Sequence, residues 1–429
     1  MQSIALFLLI FDFLLLAALP NGKWELCLQY ISPLAMTETA RSNRCHIAIF
    51  GRRNAGKSSL LNALAGQGVA IVSDVAGTTA DTVWKNIELP GIGAAVIGDT
   101  AGFDDEGALG ALRVEAARKA VSKCDIAIML LGDPCDAALE WEWHAEIMRQ
   151  NVPLLLVAGK CDSKDNAARA EYWSGVFGAS VIPFSAVTGE GRDALLDALA
   201  ECYRQDDNLD DITYTLVSAG DLVVLVMPQD ESAPKGRLIQ PQVLTLRNLI
   251  DKHCIPLCCA PEELPRLLAS LAVPPKLIIT DSQLFAEVGK IAPAGTSLTS
   301  FSVLMARHKG DIEAFVEGAK VLRMLPPSAK VLIAEACAHV PKNEDIGRVK
   351  LPRLLRRKIG EELVIDVVSG NDFPENLKEY SLIIHCGACM FNRRTVMARV
   401  RQAKAQGVPI TNYGIAIAAL SGILERVAL

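Results

Sequence analysis

The chain has 429 residues, enough for two or three domains that each bury a core. Hydrophobic residues make up 51% of it and aromatic residues only 5%, which favours alternating helices and parallel strands over an all-β sandwich. The formal net charge of -6 argues against a general nucleic-acid-binding protein, because phosphate neutralisation requires a basic surface.

The twelve cysteines do not indicate the disulfide framework of a small secreted protein. Cys45 and Cys124 lie in apolar runs, where cysteine behaves as a small core residue. We therefore expect a reducing, cytoplasmic location, with no nucleic acid and no membrane as a partner.

Residues 1–40 open with an apolar run, "IALFLLIFDFLLLAALP". The run lacks the positive segment that precedes a signal sequence, contains Asp12, and is about as short as the shortest membrane spans. Met36 begins a short lead into the first predicted strand. We expect an upstream extension from a misassigned start; the alternative is a short membrane anchor.

A phosphate-binding loop follows the first predicted strand. The strand "CHIAIF" runs into "GRRNAGKSS", and "LLNALAG" then has helical spacing. This is the context that the pattern G-x-x-x-x-G-K-[ST] requires. Its glycines turn backbone N–H groups onto phosphates, its lysine meets the β and γ oxygens, and its hydroxyl reaches Mg²⁺. The predicted ligands are Gly51, Gly56, Lys57, Ser58 and Ser59.

Two further motifs follow in the order that a GTPase requires. "SDVAGTTADT" indicates a first switch, with Thr79 as the preferred Mg²⁺ ligand and Thr78 as the next choice. "AAVIGDTAG" leads a strand into Asp99, whose carboxylate is expected to hold the metal through water. The same motif supplies Gly102, whose N–H is placed to sense the γ-phosphate.

The next two motifs indicate guanine. "PLLLVAGKCD" places Lys160 and Asp162 after a buried strand, where the aspartate carboxylate accepts the paired N–H donors of the base. "VIPFSAVTGEG" supplies Ser185 and Ala186, whose backbone is expected to meet the guanine carbonyl. Five ordered signals therefore favour GTP over ATP.

Residues 45–203 resemble the GTPase domain of the Era, Der and MnmE branch, and "GRRNAGKSSLLNALAG" with "DVAGTTAD" is especially similar to MnmE. The resemblance implies that Asn54 also binds the nucleotide site, by helping to hold K⁺ beside the phosphates in place of an arginine finger. Phe103 stands where Ras-like proteins have a glutamine. We expect slow, K⁺-stimulated hydrolysis, with Lys57, Asn54 and Thr79 as the catalytic residues.

One position departs from that branch. The guanine motif is usually Asn-Lys-x-Asp, and here Gly159 takes the first place. An asparagine there bridges the base and the phosphate loop. Its absence predicts looser nucleotide binding, with guanine still selected through Asp162.

The acidic stretch "DDNLDD" marks a domain boundary after a GTP-binding domain at 41–205. We assign residues 212–299 to a small α/β dimerisation domain because they carry no catalytic motif. "HCIPLCC" in this region invites a metal site, but its apolar surroundings and adjacent cysteines favour a core segment. The residues concerned are His253, Cys254, Cys258 and Cys259.

Two predicted strands of the C-terminal region, residues 300–429, end in metal-ligand residues. "KVLIA" runs into "EACAHV", and "YSLII" runs into "HCGACMFNRR". In a parallel sheet both sets emerge at the carboxyl edge of the strands. Zn²⁺ and an iron–sulfur cluster both fit such donors, and the spacing does not choose between them. The candidate ligands are Cys337, His339, His385, Cys386 and Cys389.

The region is also basic. Asn392 is predicted to cap the helix "RRTVMARVRQAKA", whose N-terminal dipole favours thiolates. The run "RVKLPRLLRRK" and the arginines of the capped helix are either a solvated face or cations that retain an anionic precursor and steer an acidic partner. These arginines are Arg393, Arg394, Arg399 and Arg401.

From about residue 40, the GTPase domain, the small central unit and the C-x-H plus H-C-x-x-C pair together resemble the HydF family, the GTPases that mature FeFe-hydrogenase. The resemblance implies a homodimer with a 4Fe-4S cluster on the three cysteines. By their position in the sequence, His339 and His385 are candidates near the open iron position, and Glu335 is a third. It also implies a scaffold or carrier for the 2Fe subcluster precursor, received from HydE and HydG and delivered to apo-hydrogenase HydA.

The predicted fold is therefore α/β: a P-loop GTPase domain, a small α/β dimerisation domain and a C-terminal α/β iron–sulfur cluster domain. The competing interpretation is an MnmE-like GTPase in tRNA modification or ribosome assembly with a zinc-binding C-terminal domain. A basic RNA-binding surface and a colourless protein would favour the latter.

Overall fold

The computed structural model describes residues 44–65, 74–75, 82–104, 107–160, 166–204, 211–229, 238–336, 345–370 and 372–429. Within these ranges, strands and helices alternate and form three sheets. This confirms the predicted α/β class. None of the helices described is both long and apolar enough to cross a membrane.

The first sheet has seven strands, in the order β2-β3-β4-β1-β5-β6-β7. β3 runs antiparallel to β2 and β4, and the other pairs are parallel. The strands are β1 (Cys45–Phe50), β2 (Asp74–Val75), β3 (Val83–Leu89), β4 (Gly93–Asp99), β5 (Ile126–Leu131), β6 (Leu154–Ala158) and β7 (Val181–Pro183). The helices are α1 (Lys57–Ala65), α2 (Gly107–Val121), α3 (Ala138–Arg149), α4 (Asn166–Phe177) and α5 (Arg192–Arg204).

The apolar sequence of β1 explains why it lies inside this sheet. Successive side chains of a strand point to opposite faces, so a strand covered on both faces is apolar throughout. Ile47 and Ile49 pack into the core on one face of the sheet. Ala48 and Phe50 pack into the core on the other face. The loop that follows β1 therefore leaves from the middle of a sheet buried on both sides.

The second sheet has four parallel strands in the order β11-β10-β8-β9. Because neighbouring side chains of β9 alternate in direction, the adjacent Cys258 and Cys259 lie on opposite faces of that strand. The strands are β8 (Leu222–Val226), β9 (Ile255–Cys259), β10 (Leu277–Thr280) and β11 (Ser297–Ser300). The helices are α6 (Gln240–Asp251), α7 (Leu264–Ser270), α8 (Phe285–Ile291) and α9 (Phe301–Lys309).

The third sheet also has four parallel strands, in the order β13-β12-β14-β15. The strands are β12 (Lys330–Ala334), β13 (Val364–Val368), β14 (Leu382–His385) and β15 (Ile410–Asn412). The helices are α10 (Ile312–Lys320), α11 (Leu351–Ile359), α12 (Arg393–Ala405) and α13 (Tyr413–Leu420). β12 and β14 are neighbours, with Ala334 paired to His385, so the two strands that precede the ligand motifs end side by side as predicted.

The second and third sheets share one hydrophobic core. Val226 and Ile278 of the second sheet belong to the same buried cluster as Ile333 and Ile384 of the third. Apolar surface removed from water stabilises a fold by about 25 cal/mol per Å², and a continuous core couples its two halves. These two sheets therefore stabilise each other.

The start of α12 contacts the first domain. The predicted N-cap is confirmed, since the Asn392 side chain accepts from the Thr395 N–H at 3.1 Å. Its Nδ2 donates to the Lys123 carbonyl at 2.6 Å. Arg394 donates to the Asn151 carbonyl at 2.6 Å. Lys123 precedes β5, so α12 meets the amino-terminal edge of the first sheet, opposite the loop that follows β1.

We expect Asn392→Ala to lower the free energy of unfolding by about 1–2 kcal/mol, because it removes a helix cap and a hydrogen bond between domains. Asn392→Asp keeps the capping acceptor but loses the donor and adds a charge beside Asp125, whose carboxylate lies 3.4 Å from Nδ2. Urea unfolding followed by circular dichroism measures both variants. Midpoints equal to that of the unchanged chain would contradict both roles.

Candidate functional site

The loop between β1 and α1 is closed around a lysine. Lys57 is buried, and its ammonium donates to the carbonyls of Gly51 and Arg52, both at 3.0 Å. A Cβ on Gly51 would lie 2.6 Å from the Leu130 carbonyl oxygen, so only glycine fits there. Asn54 is exposed and adopts a φ of 59°, a left-handed conformation that asparagine tolerates. The backbone is therefore already curved as a phosphate cradle.

Two of the predicted magnesium ligands lie in contact. The Ser58 hydroxyl donates to the Asp99 carboxylate at 2.5 Å. Hydroxyl and carboxylate oxygens are the donors that Mg²⁺ prefers, so this pair fits the metal. Thr78 and Thr79, the predicted switch ligands, lie outside the described residues.

The residue after the "DTAG" motif points away from the loop. Phe103 is buried, and its ring stacks on Trp143 with 5.4 Å between centroids. Gly102 lies against the phosphate loop, where an added Cβ would meet the Arg53 nitrogen at 2.7 Å. The side chain that orients water in Ras-like proteins thus has no counterpart at this position, and Phe103 instead fills the core.

A cavity of about 400 Å³ lies beside the phosphate loop at the carboxyl edge of the first sheet. Ser185 is buried and accepts the N–H groups of Val187 and Thr188, which fixes the loop that presents Ala186. Asp162 lies outside the described residues. The cavity is lined by Ala55, Gly56, Ser59, Leu60, Leu130, Asp133, Gly159, Lys160, Arg169, Phe184, Ala186 and Val187.

Arg169 holds the turn that begins at Gly159. Its guanidinium donates to the Gly159 carbonyl at 2.7 Å and to the Lys160 carbonyl at 2.9 Å, and it pairs with Asp133. Lys160 has a φ of 59°, which few residues with a side chain adopt. A Cβ on Gly159 would lie 3.2 Å from the Ala55 carbonyl oxygen, so an asparagine here would reach the phosphate loop. Arg169, which the motif search missed, stabilises this turn from α4.

The second candidate site lies where β12 and β14 end. The Cys386 Sγ accepts the Ala336 N–H at 3.0 Å and the Ala388 N–H at 3.4 Å. Burial raises the pKa of the Cys386 thiol to about 11, and these N–H groups oppose that rise. Backbone donors aimed at sulfur favour a thiolate, so the donor set fits a metal or an iron–sulfur cluster.

Some of the remaining predicted ligands lie within the described residues, and others lie outside them. Cys389 follows Ala388 in the same loop and is partly buried. Cys337 and His339 lie outside the described residues, and Ala336 is the last described residue before them. Within the described ranges, no three metal-ligand side chains form a group that could hold an ion.

The expectation that His385 can ligate the cluster is not supported by its geometry. Its Nδ1 bonds to the Cys386 carbonyl at 2.9 Å, and its Nε2 lies 3.0 Å from an Arg399 nitrogen, which can only donate. Burial, together with Arg399, lowers the pKa of His385 to about 3. The ring is therefore neutral, and both nitrogens are engaged within the protein.

Three arginines near the cysteine loop bond to other parts of the protein. Arg393 donates to the His308 carbonyl at 2.8 Å. Arg394 contacts the first domain, as described above. Arg348 donates to the buried Glu335 carboxylate at 3.0 Å. These cations connect neighbouring segments of the fold, and the Glu335 carboxylate already accepts a hydrogen bond from Arg348.

Lys309, which the sequence patterns did not single out, lies under the cysteine loop. It is buried at the end of α9, and its ammonium donates to the Ala388 carbonyl at 3.2 Å and the Phe391 carbonyl at 2.8 Å. Burial lowers the pKa of this ammonium to about 8, while the two cysteines oppose the shift. No motif contains it, so only its place in the fold reveals it.

Comparison with known families assigns three regions of the chain. A model described as a 50S ribosome-binding GTPase matches residues 46–160. The hydrogen maturase F (HydF) dimerization domain matches residues 212–310, and the hydrogen maturase F tetramerization domain matches residues 313–428. The two maturase domains together span about half of the chain.

The chain belongs to the HydF family. The predicted resemblance is thereby confirmed, and so are the GTPase domain and the capacity for self-association that the two HydF domains carry. The HydF domain boundary falls between residues 310 and 313, after α9, which contributes Lys309.

The MnmE proteins are curated relatives that match the GTPase part of this HydF-family chain. The tRNA modification GTPase MnmE of Neisseria meningitidis is 40% identical over 152 residues, which cover 35% of this chain and 33% of the relative. MnmE of Neisseria gonorrhoeae matches to the same extent. The chain thus spans about a third of the length of these relatives.

Two solved structures are similar to part of the chain. A variant of Aquifex aeolicus Era bound to GDP·AlF4⁻ is 19% identical, with a TM-score of 0.31, and covers 50% of this chain and 92% of its own. The G domain of the T. maritima FeoB iron transporter is 21% identical, with a TM-score of 0.30, and covers 37% of this chain and 98% of its own.

We expect Arg169→Met to weaken GDP binding about tenfold, equivalent to about 1.4 kcal/mol, because two carbonyls of the base-binding turn lose their donor. Adding Gly159→Asn should restore part of the affinity, since its side chain reaches the phosphate loop. Titration with a fluorescent GDP derivative measures both. Arg149→Met, on the exposed end of α3, is the matched control. An unchanged Kd for Arg169→Met would contradict this role.

Proposed function

We propose that this chain is a cytoplasmic GTPase that acts as a scaffold or carrier in FeFe-hydrogenase maturation. A 4Fe-4S cluster is held by Cys337, Cys386 and Cys389, and GTP with Mg²⁺ is held by the phosphate loop. The cargo is the 2Fe subcluster precursor, received from HydE and HydG and delivered to apo-hydrogenase HydA. Membership of the HydF family supports this reaction class.

One observation carries the cluster assignment. The Ala336 N–H bonds to the Cys386 Sγ, so the end of β12 lies against the cysteine loop that follows β14. Cys337 is the next residue along the chain from Ala336. Because parallel neighbours end at the same sheet edge, this contact supports the proposal that the two halves of the ligand motif form one site. Three thiolates ligate three of the four iron atoms, so the fourth iron keeps a coordination position for exchange. A carrier requires such a position.

His339 remains the proposed candidate near the open iron position. His385 and Glu335, the other two, already bind Arg399 and Arg348. Ligation by either would break its contact with an arginine, because Arg399 would lose the His385 nitrogen and Arg348 would lose the Glu335 carboxylate. We therefore propose that the group nearest the exchangeable iron position is neither His385 nor Glu335.

Nucleotide state is proposed to adjust cargo exchange and not to perform the cluster chemistry. The phosphate loop lies at the carboxyl edge of the first sheet, and Asn392 contacts the opposite edge three residues after Cys389. The sheet core between them is close-packed, and such interiors transmit displacement. This arrangement supports communication between the two sites.

The oligomer is proposed to be a homodimer through the second domain. β9 is the outermost strand of its sheet, and Ile255 on it is exposed. Outer strands offer unpaired backbone groups to a second chain. The family match to a dimerization domain over residues 212–310 supports this surface.

We expect Cys386→Ala and Cys389→Ala each to abolish iron binding and activation of apo-hydrogenase, because a cluster cannot be held by the remaining thiolates. Anaerobic purification gives the colour and the iron content, and mixing with precursor-producing maturases and apo-hydrogenase gives the activation. Cys258→Ala, on the exposed side of β9, is the control that should retain both.

Two outcomes would contradict the proposal. Stoichiometric zinc without iron in the unchanged chain would replace the cluster by a structural metal site and restore the MnmE-like alternative. A normal cluster with no activation of apo-hydrogenase would remove the carrier role alone. Retained iron in either cysteine variant would show that other residues hold it.

We expect GTP hydrolysis to be slow and faster in KCl than in NaCl of equal concentration, since the proposed role of Asn54 is to hold K⁺. Asn54→Gly keeps the left-handed backbone and removes the side chain, so it should abolish the difference while GDP still binds. Phosphate release assays measure the rates. Equal rates in the two salts for the unchanged chain would refute the potassium site.

A further inference from the structure

Lys309 comes from a different domain than the cysteines it lies beside. It ends α9, within the dimerization-domain match, whereas the cysteine loop belongs to the tetramerization-domain match. Its ammonium donates to the carbonyls of Ala388 and Phe391, which flank Cys389 on its two sides. The dimerization domain thus reaches directly into the loop that carries two of the proposed ligands.

A buried ammonium is an unusual choice for such a contact. Lys309 is 3% exposed, and a lysine is almost never fully buried unless it is paired. In the part of the chain that the structure describes, no carboxylate pairs with it, and two carbonyls only partly replace its lost hydration. Cys386 and Cys389, whose thiols become anionic on binding metal, interact electrostatically with this ammonium. A neutral side chain would fill the same space at a lower desolvation cost. The positive charge of Lys309 therefore indicates an anionic partner.

The other buried cation of this region is committed elsewhere. Arg399 bonds to His385 and to the Gly370 carbonyl, and its guanidinium lies over the rings of Phe373 and Phe391 at 4.7 and 4.6 Å. These contacts orient β14 and its neighbours. Among the described residues, the ammonium of Lys309 instead bonds only to the cysteine loop, which makes it the cation best placed to respond to that loop.

We propose that Lys309 is a positioning residue of the cluster site, which fixes the loop bearing Cys386 and Cys389 and balances the negative charge of metal-bound thiolates. The inference rests on the proposed 4Fe-4S cluster. It makes the dimerization domain a contributor to the cluster site and accounts for a buried lysine at the end of α9. A cation beside a cluster stabilises its reduced form and raises its reduction potential.

The test replaces the charge while keeping the fold. Lys309→Gln retains a hydrogen-bond donor without the charge, Lys309→Met fills the volume with neither, and Lys309→Arg retains the charge. Lys290→Gln, at an exposed position on α8, is the matched control. Each protein is reconstituted with iron and sulfide, and three quantities are measured: the cluster midpoint potential, the rate of iron loss to a chelator, and GDP affinity as a check of folding.

Both neutral variants should bind GDP normally, have a more negative midpoint potential, and lose iron several-fold faster than the unchanged chain. Lys309→Arg and Lys290→Gln should resemble the unchanged chain. If Lys309→Gln does not fold, Lys309→Met still tests the charge. A potential and a loss rate that do not move in the neutral variants, or that move equally in Lys309→Arg, would overturn the role. If the unchanged chain takes up no iron, the cluster assignment itself fails. That outcome is distinct from a failure of the role of Lys309, which the comparison of the variants tests.

Discussion

The parallel pairing of β12 and β14 is the constraint on which the C-terminal site depends. The two strands are almost fifty residues apart in sequence, yet Ala334 pairs with His385, and the next residues of each chain emerge at one sheet edge. The N–H of Ala336 then reaches the Cys386 sulfur. A one-residue slip of this register would turn His385 out of the core and move the sulfur away from that N–H. The apolar faces of both strands, buried in the shared core, prevent such a slip.

The chain places its two chemical sites at the ends of different sheets, and the geometry of one sheet joins them. Phosphate binding uses the carboxyl edge of the first sheet, where backbone N–H groups and Lys57 surround the loop. The amino edge of the same sheet receives Asn392 and Arg394 from the cysteine-bearing domain. Both residues donate to a backbone carbonyl, and Asn392 also lies 3.4 Å from the Asp125 carboxylate, so the contact depends on the position of the main chain and on one acidic side chain.

Arginine and lysine side chains that are wholly or largely buried do much of the positioning in this fold. Arg169 fixes the turn that begins at Gly159, Arg399 fixes His385, and Lys309 fixes the cysteine loop. A charged donor bonds more strongly to a carbonyl than a neutral one does, and in a buried site it is not weakened by water. The same burial makes each of these groups costly to leave unpaired. Loops that lack regular secondary structure are thereby held in single conformations next to the two sites.

Local patterns determined much of this architecture and part of each site. A glycine-rich loop between a buried strand and a helix requires only neighbouring residues, so Gly51, Lys57 and Ser58 could be placed from sequence, as could the strands before the cysteines and the cap at Asn392. Contacts between distant segments leave no such local pattern. Arg169, Lys309 and the engagement of His385 by Arg399 were therefore decided by the tertiary structure alone, because only folding brings a side chain of one helix to the carbonyls or ring of a loop far along the chain.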